Sequence, residues 1–389
     1  MININDLFLA LCRYEICGVS LPEINKNDIT DEDYGFLYKL AKHHDCAHLV
    51  SDALFKNGLI AKEDSHYEAF KKAQMKAYYR YERISFELCQ VSDALATAEV
   101  SFIPLKGSYL RRFYPEPWMR TSADIDILVH EEQLETAINV LKENLGYSYR
   151  ERGSHDVAFV SKSGLLVELH FDLIEEARYP EAVKILSSAW DYAVSDENSK
   201  FSYTLSDEMF YYYHIAHMVK HFENGGCGVR SFIDLWILEN RIKHDENARN
   251  ELLKKGRLLD FTNAARSLAD VWFSGKEAGE IDLQMQSFIL KGGTFGTTDS
   301  GAMVKLAKKG GSTKKYVLSR LFLPMSMMKS QHPVLKKHPY LLPIFYIKRL
   351  AKLFNKETRQ RAKVQLSAVG SDNQAEAEST AELLKKIGL

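Results

Sequence analysis

Paired cysteines are missing from this sequence. The five present, Cys12, Cys17, Cys46, Cys89 and Cys227, are scattered and odd in number, and none forms a C-x-x-C pair. That argues against a disulfide framework and fits reduced thiols. Net charge is missing too: 51 Lys and Arg against 52 Asp and Glu leave −1, so no global field draws the chain to nucleic acid. No apolar run approaches the roughly 20 residues that cross a bilayer, which argues against an integral membrane span. The opening M-I-N-I-N-D-L-F-L-A-L-C has no basic start and carries Asp6, a poor fit to a secretory signal. A cytoplasmic protein is expected. There is no internal repeat. What remains, 46% hydrophobic and 26% charged residues, is ordinary for a globular chain, and 389 residues suffice for two or three domains.

The chain is organised around Pro104 to Val129, P-L-K-G-S-Y-L-R-R-F-Y-P-E-P-W-M-R-T-S-A-D-I-D-I-L-V. An apolar approach, Val100, Phe102, Ile103 and Leu105, leads into Lys106-Gly107-Ser108. A short helical segment from Tyr109 to Tyr114 and a proline-containing turn follow. Asp124 to Val129 has the β-branched richness of a strand. Side chains alternate along a strand, so Asp124 and Asp126 share one face while Ile125 and Ile127 face a core. Two like charges so placed repel, and a hard divalent cation between them removes the conflict. Glu168 is embedded in a second apolar run, Gly164 to Phe171, with Leu166 and His170 on its face. Laid beside the first strand, this run brings a third carboxylate to Asp124 and Asp126, the set that two-metal phosphoryl transfer needs.

A Gly-Ser after an apolar strand, a D-x-D strand and an isolated acid in a later strand resemble the DNA polymerase beta-like nucleotidyltransferase superfamily. The fuller pattern L-K-G-x-x-L…Y…R-x-x-x-D-I-D-I-L-V with V-E-L-H looks like its branch of uncharacterised bacterial nucleotidyltransferases. So do H-I-A-H-M-V-K-H-F, G-V-R-S-F-I-D-L and H-P-Y-L-L-P-I-F-Y-I-K-R further on. The likeness touches roughly residues 100 to 350. The spacing from Gly107-Ser108 to Asp124 is longer than is usual in that superfamily.

The resemblance implies an α+β fold, a small mixed-sheet nucleotidyltransferase domain flanked by helical regions. It implies Mg²⁺-dependent transfer of a nucleoside monophosphate from an NTP, with ATP the expected donor, to an unidentified hydroxyl-bearing acceptor, releasing pyrophosphate. Asp124, Asp126 and Glu168 would be the catalytic metal ligands for two Mg²⁺ ions. Lys106, Gly107, Ser108 and Arg120 would bind the nucleotide: Gly107 admits a phosphate close to the backbone, Ser108 offers its hydroxyl and free N–H groups, and the two cations balance charge. A salt bridge from either cation to the carboxylates is the plain alternative. Nucleotidylation of a protein or tRNA is a variant of this chemistry, and a non-catalytic scaffold retaining the fold is the rival reading.

Residues 1–95 read as a helical region with stripes around Leu7–Tyr14, Phe36–His44 and Tyr67–Ala96. The cluster His43, His44, Asp45, Cys46 and His48 is either a helix end or a metal site. Residues 96–195 carry the catalytic β/α pattern, with strands at Tyr147–Arg150 and Asp156–Val160, a hairpin turn at Lys162-Ser163-Gly164, and Gly146 as a helix cap. Residues 196–290 are helical, with Ser206 as N-cap. Residues 291–315 read as a Gly/Lys-rich loop, 316–366 as a basic helical region broken at Pro324, Pro333, Pro339 and Pro343, and 367–389 as a flexible acidic tail with a weak last helix.

The remaining candidates are acceptor contacts or residues that support the ligands. His170 lies on the Glu168 face as a donor to a ligand or a proton acceptor, or packs as a core histidine. His217, Lys220 and His221 share a helix face with His214 nearby, read as a cleft wall, basic under the resemblance, rather than a zinc site. Arg230 and Asp234 stand four apart and most simply pair with each other, just inside a helix start that could meet an anion. From Lys305 to Lys363 the chain is strongly basic with interleaved Leu, Phe, Tyr and Ile. That stretch reads as a solvated face, a surface for an anionic partner, or a peripheral membrane contact.

Overall fold

The computed structural model describes residues 2–173, 180–196, 199–294, 296–332, 334–351 and 374–389. Four helices come first: α1 (Ile4–Cys17), α2 (Asp31–His43), α3 (Ala47–Lys56) and α4 (Tyr67–Thr97). Local chemistry sets their ends. Asn3 accepts the Asn5 N–H ahead of α1, and Thr30 and Asp33 exchange bonds in a capping box at the start of α2. Phe8, Leu11, Leu37, Leu49 and Leu54 are fully or almost fully buried in one core.

The sheet follows. Its elements are β1 (Phe102–Pro104), α5 (Gly107–Leu110), β2 (Asp124–Val129), α6 (Leu134–Asn139), β3 (Ser148–Arg152), β4 (Asp156–Val160), β5 (Leu166–His170), α7 (Pro180–Leu186), β6 (Ala193–Asp196) and β7 (Ser199–Leu205). The strand order is β3-β4-β5-β2-β1-β7-β6. β2 runs parallel to β5 and antiparallel to β1, while β7 runs parallel to β1, so the sheet is mixed and the fold is α+β with helical flanks, as expected. The sheet runs past residue 195 to Leu205. The β6–β7 hairpin gave no signal in the sequence because Ser195, Asp196, Ser199, Lys200 and Ser202 dilute its apolar residues.

The pleat divides the sheet chemically. Ile125, Ile127, Val129, Val167 and Leu169 pack against Ile84, Val91 and Leu95 of α4 and Leu134, Ile138 and Leu141 in and beyond α6. The opposite face carries Asp124, Asp126, Glu168 and His170, and is covered by later helices.

Those helices are α8 (Asp207–Glu223), α9 (Val229–Arg241), α10 (Glu246–Lys255), α11 (Leu259–Ala269), α12 (Glu280–Gly292), α13 (Thr298–Ala307), α14 (Thr313–Leu321), α15 (Met325–Gln331), α16 (Val334–Lys337), α17 (Leu342–Ala351) and α18 (Gln374–Lys386). Ser206 caps α8 by accepting the Met209 N–H. Among the described residues no helix is long and apolar enough to cross a membrane.

Two expectations fail here. Residues 291–315 are not a loop throughout: α13 lies within them, started by Thr297, which accepts the Ser300 N–H. Ala302, Met303 and Leu306 of α13 are buried with Tyr316 and Ala377, an apolar spacing that the surrounding Gly and Lys conceal. The acidic tail is not flexible where it is described: Ala377, Leu383, Leu384 and Ile387 of α18 and its end are buried. Residues 352–373, which include the end of the basic stretch and the start of the tail, lie outside the described residues.

The α8–α9 and α12–α13 loops touch backbone to backbone. A Cβ on Gly226 would sit 2.0 Å from the Gly296 nitrogen, and one on Gly225 would sit 2.1 Å from that of Gly301. Only hydrogen fits at either place. The Thr294 N–H donates to the His43 carbonyl at 3.1 Å, tying the second loop to the end of α2.

Candidate active site

Parallel pairing of β2 with β5 sets Asp126 directly opposite Glu168. Asp126 is 3% exposed. Its Oδ1 accepts from Lys106 Nζ at 2.8 Å and lies 2.8 Å from His170 Nε2, which is 3.5 Å from Glu168 Oε2. Lys106 reaches it from the turn after β1, where its backbone takes φ +47°. Burial alone would raise the Asp126 pKa. Lys106 and His170 outweigh burial and hold the carboxyl well below the usual range. Burial would lower the Lys106 pKa, and Asp126, with Tyr213 and Asp124, outweighs it, so the amine stays charged. Asp124 lacks such direct partners. Burial and the charge of Asp126 push it up to about 6.

Donor atoms of Asp126, Glu168 and His170 lie within 4.8 Å of one another. The two carboxylates suit a divalent cation, while His170, whose pKa burial lowers but the bonds to Asp126 and Glu168 raise to about 9, donates to them. Both strong bonds to Asp126 fall on Oδ1, so Oδ2 is the oxygen a metal would take. Asp124 lies outside this group, one strand residue pair away on the same face, and the raised pKa reflects a negative charge that a nearby cation would stabilise.

Of these residues, Asp124 and Asp126 line a cavity of about 750 Å³. Lys106, Gly107, Ser122, Asp124 and Asp126 form its floor; Tyr213, His214, His217 and His221 of α8 and Arg230 of α9 form one wall. Lys39, Lys42 and His43 from the end of α2, with Arg80 of α4, complete it. A family model described as uncharacterised nucleotidyltransferase matches residues 30–274. The chain belongs to this family. Neither curated proteins nor solved structures give a significant match. The family match takes in α2, α4, α8 and α9 as well as the sheet, elements that line most of the cavity.

Several expected contacts are spent elsewhere. Arg120 lines the cavity but is committed to Asp234: Nε donates to Oδ1 at 2.7 Å and Oδ2 at 3.0 Å, and Tyr114 OH adds a bond at 2.5 Å. Arg230 therefore does not pair with Asp234. It pairs instead with Asp45, while Thr121 Oγ1 donates to the same Asp45 oxygen at 3.3 Å. The reason is competition: Asp234, 2% exposed, is already held by Arg120 and Tyr114, and Arg230, one turn earlier on the same cavity wall, reaches Asp45. The Ser108 N–H is not free, since it donates to the Leu105 carbonyl at 3.0 Å. Gly107 does line the cavity, and the buried Arg111 secures its turn, with Nε on the Gly107 carbonyl at 2.8 Å and Nη2 on Ser122 Oγ at 2.9 Å.

The α8 wall is not basic in the way expected. Burial, then the nearby Lys106 charge, holds His217 well below its ordinary pKa. Burial, then Lys220, lowers His221 to about 4. Both are neutral imidazoles at pH 7, with ring centroids 4.4 Å apart. Lys220 is not part of the cavity lining.

The N-terminal contribution was missed. Lys39 and Lys42 are exposed and one helical turn apart, and no carboxylate pairs with them or with Arg80 among the described residues. Two lysines and a histidine at 39, 42 and 43 on one helix face, unmatched by acids at i±4, were the available signal. The neighbouring His/Asp/Cys cluster does not converge on a metal. His44 stacks on Phe8 and accepts the Val229 N–H, and His48 Nε2 lies 2.7 Å from the Met119 carbonyl.

Proposed function

We propose that this protein transfers a nucleoside monophosphate from an NTP, with ATP the expected donor, to a hydroxyl-bearing acceptor, releasing pyrophosphate. The observation that carries the reading is the buried Asp126 facing Glu168 across two parallel strands, with Lys106 and His170 both fixed on one oxygen. Asp126 and Glu168, with Asp124 alongside, would hold Mg²⁺, which when bound supplies charge neutralisation at the reacting phosphate. His170 orients Asp126. Lys106 supplies a fixed positive charge beside the transferred phosphate. Gly107 leaves room for a phosphate against the backbone turn that Arg111 holds.

Lys39, Lys42 and Arg80 are assigned to the β- and γ-phosphates. The end of α2 reaches the Gly107 side of the cavity through Asp45, Thr121 and Arg230. A last-turn lysine also offsets the helix dipole, which accounts for Lys42 but not for Arg80 in the interior of α4. His217 and His221, neutral and able to exchange hydrogen bonds, suit an acceptor hydroxyl. A protein or tRNA acceptor satisfies the same geometry. A scaffold is disfavoured, because Asp124, Asp126 and Glu168 gather three acids on one sheet face, which a passive fold does not need. The free thiols support a cytoplasmic location.

The test is binding and turnover on purified protein. Each NTP with MgCl₂ should yield pyrophosphate in the presence of cell extract as an acceptor source. Asp126→Asn should abolish turnover and weaken Mn²⁺ binding followed by electron spin resonance. Combined Lys39→Ala, Lys42→Ala and Arg80→Ala should weaken tripolyphosphate binding by roughly tenfold or more while Mn²⁺ binding persists. A folded Asp126→Asn protein with normal turnover defeats the proposal. Unchanged tripolyphosphate affinity in the triple variant defeats the phosphate assignment alone.

A further inference from the structure

From Gly301 to Ala351 the chain carries Lys and Arg throughout and no Asp or Glu. Within this stretch α15 to α17 and the turn before them build a small core of their own from Leu323, Met328 and Leu335. The inner face of α17 lies on it: Leu342, Phe345 and Tyr346 pack there, Tyr346 OH donates to the Leu323 carbonyl at 2.5 Å, and Arg349 Nη2 donates to the Arg320 carbonyl at 3.2 Å. The outer face of α17 is apolar as well. Ile344 is 49% exposed, Ile347 is 67% exposed, and Tyr340, one turn before Ile344, is 72% exposed. A helix apolar on both faces is ordinarily buried on both, and among the described residues only one face of α17 is covered.

Charge selects the occupant. A second copy meeting this face through a two-fold axis would bring lysines onto lysines. A nucleic acid would take the lysines but leave two isoleucines in water, where stacking aromatic and arginine side chains would serve it better. An anionic bilayer takes both: aliphatic side chains enter the acyl boundary while Lys336, Lys337 and Lys348 meet headgroup phosphates. We infer that the outer face of α17, with the basic chain beside it, docks on an anionic lipid bilayer. The contact is peripheral, because no described helix spans a membrane.

The full chain is floated with phosphatidylcholine vesicles, with and without phosphatidylglycerol. The protein should rise with the phosphatidylglycerol vesicles, stay behind with phosphatidylcholine alone, and be released by high salt. Ile344→Asp with Ile347→Asp should lose flotation at unchanged melting temperature and hydrodynamic radius. Lys336→Ala, Lys337→Ala and Lys348→Ala, which leave the apolar face intact, should lose it too. Absence of flotation in the wild type overturns the inference, as does flotation that survives both sets of substitutions. It is overturned as well if the isoleucine variant floats normally but loses binding to soluble tRNA, or loses a dimer that the wild type forms.

Discussion

Asp234→Asn takes the counter-charge from a guanidinium that the fold has buried. Arg120 is 8% exposed and Asp234 2%. Three bonds converge on the carboxylate, two from Arg120 and one from Tyr114. Burial alone would raise the Asp234 pKa, but Arg120, His214 and Tyr114 together outweigh it, and the carboxyl stays ionised. Asparagine has nearly the same shape and keeps one accepting oxygen, so the loss is almost wholly electrostatic. Breaking one side of such a pair costs about 3–5 kcal/mol, a large share of the roughly 5–15 kcal/mol that keeps a typical domain folded. Urea unfolding at pH 7 should show an earlier midpoint with an unchanged slope. Tripolyphosphate and Mn²⁺ affinities of the folded protein should hold. Arg120→Met combined with Asp234→Leu should recover part of the loss, because no unpaired charge is then left inside. If Asp234→Asn unfolds within about 1 kcal/mol of wild type while nucleotide affinity falls, Arg120 grips the ligand and the reasoning is refuted.

Two more outcomes follow from the packing. Burial lowers the His44 pKa from 6.5 to about 4, and its Nδ1 accepts the Val229 N–H, so a proton there is unwelcome. The unfolded chain takes up that proton first, so the His44 contribution is complete above pH 6.5 and is lost as pH falls toward 4, by about 3 kcal/mol. Urea unfolding across this range should be flatter in His44→Gln; parallel curves for the two proteins reject the assignment. Gly226→Ala forces the α8–α9 loop off Gly296, costing about 1–3 kcal/mol. Hydrogen exchange should rise first in residues 292–301, and uniform exchange across the molecule would contradict that.

The carboxylate face was legible because period-two alternation is a local property. Asp124, Ile125, Asp126 and Ile127 state it in four residues, and Glu168 repeats it in the strand that pairs alongside. Ser206 and Gly146 were legible for the same reason, since a helix cap or a left-handed turn is written within a few positions. What failed depends on distance along the chain. Arg230 and Asp234 look like an i, i+4 pair, yet Asp234 is claimed by Arg120, 114 residues earlier. His217 and His221 were expected in a basic wall and are neutral, because burial acts on both, joined by Lys106 at His217 and by Lys220 at His221. Lys39, Lys42 and Arg80 belong to no motif, and only the tertiary placement of α2 and α4 brings them to the cavity. The helix at Thr298–Ala307 was hidden because glycine and lysine outnumber the few apolar residues that fasten it.

The alternation of β2 bears on which genetic changes this protein can survive. Single substitutions at Ile125, Ile127 or Val129 alter volume and leave Asp126 opposite Glu168. Insertion or deletion of one codon within β2 would instead turn every later side chain over. Carboxylates would then face the α4 and α6 packing, and isoleucines would face Lys106 and His170. A library of in-frame length variants should therefore show a sharp gap across residues 124–129, flanked by tolerated changes in the exposed turn at Lys162-Ser163-Gly164, while a substitution library shows a much softer one.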